Sequence, residues 1–134
     1  MADYTKVNLK GEVEDQAPKF GLAPAIEARF AYDALDATVT GLSYQRLEPS
    51  ARVPFGHSHV EQEEIYLVLS GGGRMKLDDE IVDLAPLDAV RIGAPTMRDV
   101  EAGPEGIEYV VFGAPRGDQN DAQLVQEWWA QTDG

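Results

Sequence analysis

His57-Ser58-His59-Val60-Glu61-Gln62-Glu63-Glu64-Ile65-Tyr66-Leu67-Val68-Leu69-Ser70-Gly71 is the stretch on which the reading of this chain turns. Its two histidines are the only ones among 134 residues, and they stand two apart. On a strand, residues two apart point to one face, so both imidazoles address the same space. Neutral imidazole is the commonest metal-ligating side chain, and Glu64 adds a hard oxygen donor. Val60 to Glu63 is long enough to turn the chain back, which places Glu64 on the neighbouring antiparallel strand, where paired Cβ atoms lie about 5 Å apart. By the same period of two, Tyr66 and Val68 follow Glu64 inward while Ile65, Leu67 and Leu69 pack on the other face. His57, His59 and Glu64 are thus the candidate metal ligands. Glu61 and Glu63 read as a solvated acidic turn.

Working outward, residues 36–113 carry strand signals. Thr38 to Leu47 mixes β-branched, aromatic and polar residues and stops at Glu48-Pro49-Ser50. Glu64 to Leu69 ends at Gly71-Gly72-Gly73, and Arg74 to Leu77 with Ile81 to Leu84 flank Asp78-Asp79-Glu80 as a hairpin would. Ala89 to Ile92 and Ile107 to Phe112 complete the set, with Gly93-Ala94-Pro95 and Gly103-Pro104-Glu105-Gly106 as breakers. Short strands between Gly/Pro turns, without long helical periodicity, indicate an all-β sandwich or barrel. Residues 1–35, with Pro18, Gly21 and Pro24, read as an ordered N-terminal arm with one or two short strands; the alternative is a partly mobile terminus. Residues 114–134 read as a helical tail: Asp118, Asn120 or Asp121 would cap a helix through Leu124, Val125, Trp128 and Trp129, packing an indole on the barrel or on a second subunit.

The quoted stretch resembles the first signature of the cupin superfamily, H-x-H-x4-E-x6-G, with Ala51 where that family often has glycine. The resemblance covers about residues 38–113 and implies a double-stranded β-helix, a jelly-roll-like barrel, with a metal or ligand site inside. The family's second signature, G-x5-P-x-G-x2-H-x3-N, aligns best with Leu87 to Arg98, but its glycines and proline are scrambled there. Arg98 stands where the usual fourth ligand, a histidine, would be, and Ala102 replaces the closing asparagine. Arg98 has three readings: a structural ion pair at the barrel mouth, an inward clamp for a substrate carboxylate, or a direct partner of Glu64 in a metal-free pocket. Tyr66 either orients substrate or is a packed core tyrosine.

Two histidines and one carboxylate leave coordination positions open and resemble the facial triad of non-haem iron(II) oxygenases; Mn, Ni, Zn and Cu also suit such donors. Three functions follow in order. The first is a metal-dependent oxidoreductase, isomerase or lyase acting on a small polar molecule, with Tyr66 and Arg98 as its candidate catalytic groups. The second is a non-catalytic small-ligand or sensor barrel, with or without metal. The third is an interaction module whose site has been lost. Cupins commonly dimerise through barrel edges and exchanged arms, so the resemblance also implies a homodimer.

Twenty-four acidic against eleven basic residues give a net charge of −13. So acidic a chain repels phosphate backbones and anionic membrane, and no basic stripe offers a nucleic-acid footprint. There is no cysteine, hence no disulfide frame and no thiolate ligand. Met1-Ala2-Asp3-Tyr4-Thr5-Lys6 has no basic-then-apolar leader pattern, and no apolar run approaches the roughly 18 residues of a membrane span, so a cytoplasmic, single-domain protein is expected.

Overall fold

The computed structural model describes residues 1–116 and 121–132. In chain order it contains β1 (Ile26–Phe30), β2 (Gly41–Leu47), β3 (Phe55–His59), β4 (Glu63–Leu77), β5 (Glu80–Leu84), β6 (Ala89–Ile92), β7 (Arg98–Ala114), β8 (Ala122–Gln126) and a short helix α1 (Trp128–Thr132). All pairings are antiparallel. One path through the sheet runs β1-β2-β7-β3-β8, and β4 pairs with β7, β6 and β5. The strands curl round a single core, as the alternation of apolar and polar residues requires.

Two long strands make the curl. β4 pairs with β7 from Glu63↔Ala114 to Leu77↔Arg98, with register shifts between Val68 and Ser70 and between Gly71 and Gly73. The sequence suggested that Gly71-Gly72-Gly73 and Gly103 to Gly106 end strands. Instead both segments are bends within continuous strands, because irregular stretches absorb the unpaired residues, Gly72 on β4 and 103–106 on β7, while pairing resumes on either side. Gly71 has φ +71°, and a Cβ there would lie 2.1 Å from the Gly106 carbonyl oxygen. Only glycine permits that approach. Inward residues from both strands, among them Tyr66, Val68, Met75, Val100, Ile107 and Tyr109, form the core.

The ends of the chain join this sheet. β1 pairs with β2 through Ile26↔Leu47 to Phe30↔Ser43. Ahead of it, Asp15 Oδ1 accepts from the Ala17 and Ala28 amides. At the other end the expected short helix is present, but it begins later than the spacing suggested. Leu124 and Val125 belong to β8, pairing with His57 and Gly56 of β3, and helix begins only at Trp128. Glu127, with φ +57°, separates the two. The open edge of β3 offers unpaired backbone groups, and satisfying them outweighs the weak local helical signal. The proposed caps Asp118 and Asn120 lie outside the described residues. Trp129 is fully buried, with Arg52 4.3 Å above its ring.

Candidate metal centre

The centre is assembled from β3 and from the first residues of β4. His57 and His59 project from one face of β3 with ring centroids 5.2 Å apart and planes at 89°, while Ser58 turns the other way and is buried. The His59 amide donates to the Ala94 carbonyl at 2.8 Å, which fixes that end of the strand. Glu64 arrives by a different route from the one its spacing suggested. β3 pairs with β7 and β8, whereas β4 pairs with β7, β6 and β5. Glu64 therefore faces the histidines across the barrel interior instead of standing beside them on an adjacent strand. The parity argument still holds: Glu64, Tyr66 and Val68 are all buried, and Ile65 and Leu69 face out.

The donors converge. His57 Nε2 and His59 Nε2 each lie 3.4 Å from Glu64 Oε1. One donor atom from each of the three lies within 4.8 Å of the others, the group of this kind found among the described residues. Ligands about 2.1 Å from a tetrahedral ion stand roughly 3.4 Å apart, which is the spacing of each histidine from Glu64. His59 Nε2 is buried and lacks a hydrogen-bond partner among the described residues. Its Nδ1 lies 2.9 Å from Asp121 Oδ2, so the network assigns the ring proton to Nδ1 and leaves the Nε2 lone pair facing Glu64. A carboxylate behind a ligating histidine is the usual way such a ring is oriented.

Electrostatics favour the same protonation states. Burial pushes His57 below its ordinary value, outweighing the opposing pull of Glu64, and keeps the ring neutral. Burial would raise Glu64, but its imidazole neighbours His57 and His59 outweigh it and hold the carboxyl well below the usual range. Asp121 is likewise lowered, its desolvation outweighed by the Glu61 amide and His59.

Arg98 is completely buried and donates from Nη1 to Glu64 Oε1 at 2.7 Å. Its other donors end on carbonyls: Nε on Thr96, and Nη2 on Gly93, Ala94 and Thr96, between 2.8 and 3.1 Å. The guanidinium is thus partnered by Glu64 and caged by backbone. Tyr66 lies deeper, 4% exposed and stacked on Tyr109 with centroids 5.5 Å apart. Neither Arg98 nor Tyr66 lines the cavity above the histidines.

That cavity has a volume of about 350 Å³, with Phe30, Leu42, Phe55 and Val111 among its walls and His57, His59 and Glu64 in its lining. Gln62, Arg116 and Asp121 also line it. Sequence reasoning had singled out none of these three for the site. Asp121 looked like a helix cap, Gln62 was lost in an acidic turn, and Arg116 followed the last clear strand without a motif. Arg116 and Asp121 reach the site through pairings remote in sequence, so no local spacing announces them.

No family model matches the chain, and no curated protein does. Solved structures do. A cupin protein from Bacteroides fragilis is similar with TM-score 0.70 and 27% identity, over 100% of this chain and 97% of that one. Oxalate decarboxylase from Bacillus subtilis is similar with TM-score 0.78 and 18% identity, over 98% of this chain but 35% of that one. A variant of PAC13 from Streptomyces, solved with uridine, gives TM-score 0.71 and 20% identity over 90% of each chain.

Proposed function

This chain belongs to the cupin superfamily, and from that premise we propose that it is a divalent-metal-dependent enzyme acting on a small polar molecule by oxygenation, isomerisation or lyase chemistry. The observation that carries the reading is the convergence of His57, His59 and Glu64 beside an open cavity. These residues would hold Fe, Mn, Ni, Zn or Cu through two imidazole nitrogens and one carboxylate oxygen. A bound ion would supply Lewis acidity or redox chemistry at positions the protein leaves open. The chain's own contributions are distinct. Asp121 fixes the His59 ring, Arg98 restrains Glu64, and the apolar walls limit water around the reacting molecule. The reading includes a cytoplasmic homodimer. The exposed Ile65, Leu69 and Phe112 on the outer sheet face would supply an apolar surface for it.

The test is elemental analysis of protein made without a histidine tag, followed by chelation. Near-stoichiometric metal is expected, and its removal should lower the melting temperature. Binding at a hundredfold excess over Kd stabilises a fold by about 2.7 kcal/mol. Trace metal, with no change in melting temperature on chelation, would refute the reading.

The Arg98–Glu64 contact favours a second reading, a metal-free cupin that captures a small ligand without turning it over. There the guanidinium neutralises the buried carboxylate in place of an ion. Turnover that depends on His59 would exclude it.

A further inference from the structure

We infer that the cavity binds a small carboxylate whose anionic end is anchored by Arg116 at the rim, with its apolar or ring-bearing body against the phenylalanine-lined wall. The inference deepens the proposed function, resting on the histidine–glutamate set as the ligand-facing part of the same cavity.

Arg116 lies two residues past the end of β7, and its backbone amide donates to the Val39 carbonyl at 2.6 Å. Its guanidinium stacks 4.4 Å from the Tyr32 ring centroid, and Nη1 donates to the Ala37 carbonyl at 2.7 Å. These contacts hold the plane of the fork. Among the described residues Nη2 meets Asp33, at 3.4 Å, and that carboxylate is 84% exposed. An exposed pair at this distance is worth little and yields readily to a better-placed anion. The fork has five N–H donors, and the contacts named leave most of them for a ligand. Planar bidentate pairing with a carboxylate is what this group does best.

The other charges of the cavity are already committed. Arg98 neutralises Glu64 and is sealed from the cavity, and Asp121 is engaged by His59 and the Glu61 amide. A divalent ion at the histidines would add uncompensated positive charge, which again selects an anion. Phe30, Leu42, Phe55 and Leu124 present carbon between these polar ends. Beside Arg116, Gln62 sits in a slot that glycine creates: a Cβ on Gly113 would lie 2.6 Å from its amide carbon. Gln62 Nε2 donates to Pro115 O at 3.3 Å, and its oxygen can accept from a ligand hydroxyl. A volume near 350 Å³ suits a compact hydroxy or keto acid.

Calorimetric titration with mandelate and with its neutral amide, mandelamide, tests this, using wild type, Arg116→Gln and Tyr32→Leu. Benzoate and phenylacetate widen the acid panel, and inorganic phosphate is the control for any anion. Wild type should prefer acid to amide by about tenfold or more, the size of a charge-assisted hydrogen bond. Arg116→Gln should abolish the preference with metal content unchanged, and Tyr32→Leu should reduce it. Equal binding of acid and amide, a preference that survives Arg116→Gln, phosphate binding as tight as the acids, or no acid binding at millimolar concentration would each overturn the inference. Running both chelated and metal-loaded protein separates the two ideas. An acid preference without stoichiometric metal sinks the metal reading alone, and metal without acid preference sinks this one alone.

Discussion

Three ionisable side chains, Glu64, Arg98 and Asp99, are buried, and each behaves differently when changed. Arg98 and Glu64 neutralise one another, so Arg98→Met strips the carboxylate of its partner. Breaking a buried pair on one side costs about 3–5 kcal/mol, measurable by urea denaturation. Asp99 is 3% exposed, neither oxygen has a full hydrogen-bond partner among the described residues, and burial pushes it up to about 8. Its pKa is therefore higher in the fold than in the unfolded chain, where it returns towards its ordinary 3.8. The unfolded chain loses this proton first as pH rises. Stability should fall from near pH 4 to near pH 8 and level off above it. Asp99→Asn removes the cost, so its melting temperature should exceed that of wild type by several degrees at pH 8 and match it near pH 3. Of these residues, parity of two made His57, His59 and Glu64 legible in sequence. It could not reveal the partner of Arg98, which three readings left open, nor Asp121, which bonds a histidine 62 positions away.

Among the elements, β4 and β7 govern the shape because each continues through glycines. Gly71→Ala combines a left-handed backbone with a contact at 2.1 Å. It should cost on the order of 2–4 kcal/mol, seen as a lowered denaturation midpoint. Most strand positions were legible, since alternation and β-branched residues mark them. Their continuity was not: glycine and proline signal an irregularity, and only the partner strand decides whether it is a turn or a bulge. β8 was missed for a related reason. Leu124 and Trp128 have helical spacing, yet over so few residues a strand fits as well, and the vacant edge of β3 decides. That error hid Asp121, which precedes β8. α1 is also coupled to the centre, because a Cβ on Gly56, next to His57, would lie 2.6 Å from the Trp128 ring. Gly56→Ala should displace the indole and weaken metal affinity several-fold in a chelator competition.

At the scale of the whole molecule, charge and apolar surface act together. A net charge of −13 repels copies of the chain from one another at low salt. Yet the outer face of β4 and β7 exposes Ile65, Leu69 and Phe112. The proposed dimer should therefore strengthen as salt screens the repulsion, within the roughly 10 Å Debye length at 0.1 M. Light scattering across a salt series, with Phe112→Glu as the disrupted control, checks this; a monomer at every salt concentration would exclude it. The same negative field should draw divalent cations toward the cavity. Barrel architecture was legible from the quoted stretch and its strand-rich surroundings, and no helix among the described residues is long and apolar enough to cross a membrane.

The carboxylate of Asp121 that seats His59 comes from near the C-terminal end of the sequence, while all three donors are made by residue 64. During synthesis, the donors emerge from the ribosome well before the group that aims one of them. The aim of His59 therefore depends on β8 being in place, so a change that detached that strand would release the anchor on the ring's Nδ1.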